Sequence, residues 1–373
     1  MAKIQAGMNG FGRFGLHLLR YWLNHIEDAP YTLKYINDDS LSLDKALEII
    51  NADPYVKFDD FDIARKGNYL GFAKGDRTIE IEYSHQDRAD IHWLGKPDLV
   101  LECSGKATVA ERCQPYLTGK TQRVLISATF WDADKTLVYG FNHQDFTPDL
   151  QVVSYGSCTV NAYVPLANYI HQRYSLIDSD VNVVHNIPEY KLSHSFTLDR
   201  RFCTLETSAK KLLNFVDDTN FRVNYTVVPY TGASIIDFRF RVGSVPQNRE
   251  TFIAELKAAM ATGALQNLYG MVPQDKGPEE HQLTPFSSVM IEENINVIGD
   301  NLYIHAYFDT ENSVNRYHDL TSYVARQISL SRATAVSPTL AASPIATTTA
   351  PQGMPPSPMG GVCSLPSMAG FPT

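Results

Sequence analysis

Short runs of apolar and β-branched residues alternate with amphipathic stretches over the first 150 residues of the chain. KIQAGM, YTLKYIN, PDLVLECSG and RVLISA have the composition of buried strands, whereas FGLHLLRYWLN and LSLDKALEIIN repeat apolar residues at helical spacing. Strands that alternate with helices form a mostly parallel sheet, because each helix carries the chain back along the sheet. The pattern therefore predicts an α/β domain over residues 1–156.

The pattern changes after residue 157. A helix-like stretch, TVNAYVPLANYIHQRY, precedes longer alternating segments such as ASIIDFRFRVGS and NLYIHAYFD, which indicate an antiparallel sheet with one covered face. We predict a second, α+β domain over residues 157–312. Residues 313–330 have helical periodicity that fits packing on either domain, and we assign them as a C-terminal helix packed on the first domain.

The composition changes again near the end of the chain. From Ser331 onward, Ala, Ser, Thr, Pro, Gly and Met dominate, and Arg332 is the only charged residue. Such a segment buries too little apolar surface to offset the entropy lost on ordering it. We predict a disordered, low-complexity tail over residues 331–373, and we favour an inert appendage over a docking segment.

Bulk composition narrows the class of protein. A chain of 373 residues, 44% of them hydrophobic, is longer than one hydrophobic core usually organises, so we expect two domains. A net charge of -9 without runs of like charge argues against nucleic acids or membranes as partners. Five irregularly spaced cysteines without a CxxC pair predict a reducing compartment and no metal site. A strand begins at Lys3, and no apolar run approaches the roughly 18 residues of a membrane span, so we expect a cytoplasmic protein.

Three glycines mark the first chemical site. Gly10, Gly12 and Gly15 form a GxGxxG pattern between the strand KIQAGM and the helix FGLHLLRYWL. In that context glycines let the backbone turn tightly and approach a pyrophosphate, to which the next helix presents its N–H groups and positive dipole. The pattern predicts a dinucleotide-binding Rossmann domain.

An acidic pair follows the second predicted strand. Asp38 stands where an acid accepts hydrogen bonds from the adenosine ribose, which favours NAD over NADP as the cofactor. The alternative is that the segment INDDS only starts a turn and caps the next helix, a role that Asp39 or Ser40 could fill while Asp38 binds the ribose.

A cysteine and a histidine are the candidate catalytic residues. Cys158 lies between an extended segment and an apolar-periodic helix, where the helix dipole, backbone N–H groups and an imidazole lower a cysteine pKa. His185 ends the strand-like run DVNVVHN and could face this sulfur as its base. The alternatives are a buried structural cysteine and a satisfied surface histidine.

These motifs resemble one enzyme family. MNGFGRFG is similar to NGFGRIG at the start of glyceraldehyde-3-phosphate dehydrogenases, and SCTVN is similar to their nucleophile signature SCTTN. The 27 residues from Cys158 to His185 match the family's spacing of nucleophile and base. The likeness continues through LECSGKATVAERCQPYLTGKTQRVLISA, ASIIDFRFRV and NRYHDLTSYVA, and it covers roughly residues 3–328.

The resemblance implies a chemistry and a set of partners. It implies NAD-dependent oxidation of an aldehyde through a thioester on Cys158, with His185 as base and phosphorolysis to an acyl phosphate. The implied partners are a small aldehyde and inorganic phosphate, and the implied assembly is a homotetramer.

The resemblance also assigns binding residues. The cofactor-binding residues that we predict from the motif and the resemblance are Gly10, Phe11, Gly12, Arg13, Phe14, Gly15, Asp38, Ser104, Gly105, Ser127 and Thr310. The predicted substrate-binding residues are Ser157, Thr159, Lys191, Thr207, Ser208 and Arg222.

Several positions depart from the family pattern. Pro188 and Lys191 replace a phosphate-binding threonine and glutamine, and Val227 replaces a phosphate-binding arginine. Arg222, Arg239 or Lys191 could supply the missing charge, or each could be an exposed strand or loop residue.

Two other functions compete with the dehydrogenase. One is an NAD-binding regulator or scaffold that keeps the fold but has lost its phosphate sites. The other is a semialdehyde dehydrogenase of related fold, which ranks last because those relatives lack the SCTxN form with this histidine spacing.

Overall fold

A nine-stranded sheet with a mostly parallel core confirms the α/β class of the first part of the chain. The computed structural model describes residues 3–107, 109–187, 192, 198–229 and 232–336, without the side chains of 310–312 and 334–336. The strand order is β3-β4-β5-β2-β1-β6-β7-β9-β8. The strands are β1 (Ile4–Asn9), β2 (Tyr31–Asn37), β3 (Asp62–Lys66), β4 (Tyr69–Lys74), β5 (Arg77–Ser84), β6 (Leu99–Glu102), β7 (Arg123–Ile126), β8 (Lys135–Thr136) and β9 (Val152–Ser154).

Two helices of this part follow from their apolar periodicity. Helix α1 (Arg13–Asn24) places Leu16, Leu19 and Trp22 in the core, because residues three or four positions apart share one helix face. Helix α2 (Leu43–Ala52) begins where the Ser42 hydroxyl accepts a hydrogen bond from a backbone N–H, as an N-cap does. Short 3₁₀ segments connect the later strands.

The second sheet is mixed, whereas the sequence pattern predicted an antiparallel one. Its path is β11-β12-β10-β13-β17-β15-β14, and β16 pairs with β17. The pairs β10–β12 and β14–β15 are parallel, and the other pairs are antiparallel. Its strands are β10 (Leu176–Asn186), β11 (Asp199–Arg200), β12 (Phe221–Val228), β13 (Ser234–Val242), β14 (Tyr269–Val272), β15 (Ser288–Ile291), β16 (Asn296–Ile298) and β17 (Asn301–Phe308).

One face of this sheet is covered by α3 (Cys158–Tyr174). Along β10 the odd-numbered residues Val181, Val183 and His185 are buried, and the side chains between them point the other way, as strand geometry requires. Two further helices, α4 (Thr204–Leu212) and α5 (Arg249–Thr262), complete this part. The sheet therefore has one buried and one more polar face.

The last helix extends beyond the predicted limits of 313–330. Helix α6 runs Thr310–Val336, and Arg332 donates a hydrogen bond to Asp98 at 2.8 Å, so the first residues of the predicted tail are helical. Tyr317, Leu320 and Val324 lie in the same apolar cluster as β1 and α1. Residues 337–373, the rest of the predicted tail, lie outside the described part of the chain.

The buried apolar residues form two main clusters. One contains residues of the first sheet and α6, and the other contains residues of α3 and the second sheet. Both clusters lie within a single compact unit, residues 1–333. The domain boundary between residues 156 and 157 therefore stays a prediction.

Candidate active site

The glycine turn is shaped by close backbone packing. Gly10 has φ +98°, which favours glycine, and a Cβ atom there would overlap the backbone of Ser104. A Cβ atom on Gly15 would overlap the carbonyl oxygen of Gly10. These two positions must be glycine so that β1, the β6 loop and α1 can approach one another.

Gly12 faces open space at the start of α1. Among the residues that the structure describes, a Cβ atom there would meet no heavy atom within 4 Å, and no side chain caps the helix at this residue. The first turn of α1 also contains no acidic residue. An uncapped, positively polarised helix start with room above it fits a pyrophosphate group.

Asp38 has a structural task at the end of β2. Its carboxylate accepts hydrogen bonds from the N–H groups of Phe11 at 2.7 Å and of Ser40 and Leu41 at 2.8 Å, and the residue is 8% exposed. Asp38 itself therefore forms the turn, a role that the sequence analysis considered for Asp39 or Ser40. The contact of Asp38 with the ribose stays a prediction. The Phe11 ring is fully buried, and its N–H group points to Asp38.

The other predicted cofactor residues lie near the same sheet edge. Ser104 donates a hydrogen bond through its N–H group to Glu102 at 2.9 Å, and the Ser127 N–H group donates to the Glu102 carbonyl at 3.0 Å. Gly105 has φ +68° and open space around it. The remaining two assigned residues that the structure describes in full are Arg13, which pairs with Asp53 at 3.2 Å, and Phe14, which packs edge-on against Tyr155 and Tyr317. The side chain of Thr310 lies outside the described part of the chain.

Cys158 is the first residue of α3. Ser157 is the N-cap, and its hydroxyl accepts a hydrogen bond from the Val160 N–H group at 3.3 Å. The Asn161 amide donates to the carbonyl groups of Tyr155 at 3.1 Å and Ser157 at 2.9 Å. The chain entering the helix is therefore held on both sides of Gly156, and the position of the thiol is fixed.

The structure brings Cys158 and His185 together. The Cys158 Sγ lies 3.5 Å from the His185 Nε2, within the range of a sulfur hydrogen bond. The His185 Nδ1 lies 2.6 Å from the carbonyl oxygen of Asn186, so Nδ1 carries the proton and donates it. The Nε2 lone pair therefore points toward the thiol and can accept its proton.

The pKa of Cys158 moves opposite to the expectation from its place at a helix start. Burial raises the pKa of Cys158 to about 12, the neighbouring Cys203 thiol adds to the rise, and the N–H group of Thr159 opposes it. Desolvation of the thiolate therefore outweighs the helix N-terminus. At neutral pH the group is a thiol, and its proton must pass to a base when the sulfur reacts.

Hydroxyl groups surround the start of α3, though only some are the predicted ones. Thr159 is buried, with its hydroxyl 3.2 Å from that of Ser157, and the Thr204 hydroxyl donates to Ser157 at 3.4 Å. Thr207 and Ser208 lie further along α4, and Ser208 is buried. Thr204, which the sequence analysis did not single out, is an α4 residue that donates a hydrogen bond to the N-cap of α3.

Arg222 lies away from the pair, which corrects one prediction. In the parallel register of β10 and β12, His185 is beside Val227, and Arg222 is five positions away beside Asp180. Arg222 also lies on the opposite face, because side chains alternate along a strand and the odd-numbered Val227 is buried. Arg239 pairs with Asp178 and Asp180 on that same outer face. Pro188 and Lys191 lie outside the described residues.

Arg201 is a cation near the pair that the sequence analysis missed. β11 pairs with β12 so that Asp199 is opposite Val227, and the Arg201 N–H group donates to the Tyr225 carbonyl at 3.2 Å. The Tyr225 ring centre is 5.8 Å from that of His185. Burial raises the pKa of Tyr225, the Cys158 thiol adds to the rise, and the Arg201 guanidinium opposes it. The strand pairing, rather than any motif, reveals Arg201.

Comparisons with known proteins find relatives that share one name, glyceraldehyde-3-phosphate dehydrogenase. The chain is 34% identical over 194 residues to the cytosolic glyceraldehyde-3-phosphate dehydrogenase of Gracilaria gracilis, a match that covers 50% of the chain and 53% of that relative. It is 25% identical over 330 residues to the glyceraldehyde-3-phosphate dehydrogenase of Cereibacter sphaeroides, covering 83% of the chain and 94% of the relative. It is 27% identical over 357 residues to that of Zymomonas mobilis, covering 87% and 99%.

These similarities support the glyceraldehyde-3-phosphate dehydrogenase family and its fold. No family model matches the chain. Among the helices that the structure describes, none is both long and apolar enough to cross a membrane.

The raised pKa of Cys158 predicts a steep pH dependence of its alkylation. Because only the thiolate reacts, the iodoacetamide rate constant should rise about tenfold per pH unit between pH 7 and 9. Mass spectrometry of the peptide containing Cys158 measures this rate, and Cys158→Ala reports the background from other thiols. A rate constant that is already level at pH 6 to 7 would show that the thiolate is preformed.

The glycine turn predicts opposite outcomes for two alanine substitutions. Gly12→Ala should change the free energy of unfolding by less than about 1 kcal/mol, since φ is -73°, but weaken NAD binding at least about tenfold by filling the space above the helix start. Gly10→Ala should cost at least about 2 kcal/mol through backbone overlap and positive φ. Urea denaturation and NAD titration measure both. Unchanged NAD affinity in Gly12→Ala would contradict this placement of the cofactor.

Proposed function

We propose that this chain is an NAD-dependent, phosphorylating aldehyde dehydrogenase that acts on glyceraldehyde-3-phosphate or a related small aldehyde. The 3.5 Å contact between the Cys158 Sγ and the His185 Nε2 carries the proposal. A nucleophilic thiol beside an acceptor nitrogen, whose other nitrogen is held by a carbonyl, is the arrangement that covalent catalysis needs. The similarity to glyceraldehyde-3-phosphate dehydrogenases supports the same reaction.

Cys158 forms the carbon–sulfur bond, and His185 transfers the protons. The Cys158 sulfur bonds to the aldehyde carbon while the thiol proton passes to the His185 Nε2, which returns it to the carbonyl oxygen. His185 then takes the hydroxyl proton as the bound carbon is oxidised to a thioester. NAD, held at the turn Gly10–Gly12 and the start of α1, supplies the hydride acceptor. Phosphate attacks the thioester, and the leaving thiolate regains its proton from His185.

The start of α3 stabilises charge during these steps. The N–H groups of Cys158 and Thr159 lie close enough to the Cys158 sulfur to oppose the rise in its pKa. Fixed N–H groups at a helix start stabilise the developing negative charge on oxygen or sulfur without reorganising. We therefore place the reacting carbonyl between this helix start and His185.

Arg201 supplies the positive charge that the resemblance implies at position 227, where this chain has a valine. Val227 is buried beside His185, and β11 brings Arg201 to the neighbouring Tyr225. The Arg201 side chain is paired with Asp199 at 3.0 Å and is about one-third exposed. We propose that it binds a phosphate of the substrate or the attacking inorganic phosphate. The resemblance given in the sequence analysis leads us to propose a homotetramer, and the relative named cytosolic leads us to propose the cytoplasm.

A second candidate is an NAD-binding regulator or scaffold with lost catalysis. The observation that favours it is the combination of a thiol that burial keeps protonated and a valine in place of a phosphate-binding arginine. This candidate requires NAD binding without turnover of any aldehyde, which separates it from the enzyme.

Turnover of an aldehyde panel tests the proposed chemistry. With NAD and inorganic phosphate, the wild-type chain should form NADH, seen as absorbance near 340 nm. Cys158→Ala should lose essentially all activity, and His185→Asn should lose at least about a hundredfold in kcat, since general-base catalysis contributes 10²–10⁴-fold. NAD binding without turnover on any aldehyde would favour the regulator instead.

A pair of arginine substitutions tests the substrate charge. Arg201→Ala should raise KM for a phosphorylated aldehyde at least about tenfold, with little effect on KM for an unphosphorylated one, because only the former loses a charge-assisted contact. Arg222→Ala, on the opposite face of the same sheet, is the matched control and should behave as wild type. Equal effects of Arg201→Ala on both aldehydes would refute a phosphate-binding role.

A further inference from the structure

A cavity lies between α1 and α6, and its lining includes neither the glycine turn nor the Cys158–His185 pair. Its volume is about 170 Å³, and a cavity of comparable size in another protein holds a benzene molecule. Helix α1 begins at Arg13 beside the glycine turn, whereas Tyr21 and His25, which line the cavity, are near its end, roughly 12–18 Å along the helix. The cavity is therefore a second place that can hold a ring-sized ligand.

Aromatic rings form much of the cavity wall. The Tyr21 ring stacks on the His25 ring at 4.2 Å between ring centres, and it meets the His318 ring edge-on at 5.1 Å. Tyr139, from the loop after β8, and Tyr323, from α6, add two further rings. Aromatic rings attract other rings in stacked and edge-on arrangements, so this wall favours a ligand that carries an aromatic ring.

The most buried polar residue of the lining is an uncharged histidine. His318 is 6% exposed, and its Nδ1 lies 2.9 Å from the Tyr31 hydroxyl and its Nε2 3.4 Å from the Ser322 hydroxyl. Burial, with smaller contributions from neighbouring cations, lowers the pKa of His318 to about 3, so the ring carries no charge at neutral pH. Asp319, which also lines the cavity, pairs with Arg316 at 2.8 Å. These inner residues therefore contribute one balanced ion pair and no net charge.

Two charges of opposite sign stand at the rim of the cavity. Asp28 and Arg326 are its exposed lining residues. Within the ranges that the structure describes, neither side chain forms an ion pair or a hydrogen bond. A ligand with an ammonium group and a carboxylate could pair the first with Asp28 and the second with Arg326, and each contact would be a charge-assisted hydrogen bond. One carboxylate and one guanidinium beside aromatic rings thus match a zwitterion that carries a ring.

We propose that this cavity binds a free aromatic α-amino acid. The ring of the ligand lies among the rings of Tyr21, Tyr139 and Tyr323, its ammonium group lies at Asp28 and its carboxylate lies at Arg326. A free amino acid fits better than a peptide, because the cavity holds one ring-sized ligand and the rim recognises both of its charged groups. The site goes beyond the proposed function, since none of the residues assigned to the dehydrogenase lines it.

Calorimetric titration of the full chain with three probes tests this site. L-Phenylalanine carries both charged groups, phenethylamine lacks the carboxylate, and hydrocinnamate lacks the ammonium group. Wild type should bind L-phenylalanine at least about tenfold more tightly than either analogue, since each analogue loses one charge-assisted contact.

Substitutions at the rim assign each charged group to its partner. Arg326→Gln should lower affinity for L-phenylalanine at least about tenfold and leave affinity for phenethylamine within about threefold. Asp28→Asn should lower affinity for L-phenylalanine to the same extent and leave affinity for hydrocinnamate within about threefold. Arg222→Gln and Asp76→Asn, which remove exposed charges elsewhere, are the matched controls and should bind as wild type does. Ser322→Phe, which fills the cavity from α6, should abolish binding of all three probes, with circular dichroism as the check on folding.

The opposite results overturn this site and leave the proposed function untouched. If wild type binds no L-phenylalanine at about 10 mM, the cavity is not an amino-acid site. If phenethylamine binds as tightly as L-phenylalanine, Arg326 does not hold a carboxylate. If NAD competes with L-phenylalanine, the ligand lies at the glycine turn instead, whereas Cys158→Ala and saturating NAD should leave its affinity unchanged.

Discussion

The contact between Cys158 and His185 joins the start of α3 to the end of β10, and the proposed chemistry depends on it. Ser157 caps the helix and holds the cysteine at its first position, while the Asn186 carbonyl holds the imidazole with its Nε2 toward the sulfur. The His185 ring also packs edge-on against Phe308, at 5.4 Å between ring centres. Burial raises the pKa of this thiol, so the proposed mechanism relies on the imidazole to accept its proton.

A chain of buried hydrogen bonds organises the other half of the site. The Asn9 amide donates to the Glu102 carboxylate at 2.9 Å, the Asn37 amide donates to Asn9 at 2.8 Å, and the Ser84 hydroxyl donates to Asn37 at 2.7 Å. The Trp93 indole donates to Ser84 at 3.1 Å. These side chains link the ends of four neighbouring strands, and a fully satisfied buried network of this kind fixes the loops above it. The glycine turn follows the end of β1 at this edge.

Side-chain alternation in the second sheet decides which face each cation occupies. Arg222 and Arg239 are on the outer face, where Asp178 and Asp180 pair with Arg239. Arg201 follows a two-residue strand at the sheet edge, and its N–H group donates to the Tyr225 carbonyl. Of these three arginines, Arg201 is therefore the one proposed to bind a phosphate near the Cys158–His185 pair.

Local patterns in the sequence determined the elements and singled out the candidate reacting residues. Apolar periodicity predicted the parallel sheet and α3, and the glycine spacing predicted the turn, because these features depend on neighbours along the chain. The tertiary structure decided what depends on distant residues. Burial raised the pKa of Cys158, and strand register placed Arg222 on the outer face and brought the Arg201 backbone beside Tyr225. Desolvation and strand register are properties of the folded chain, so no single segment encodes them.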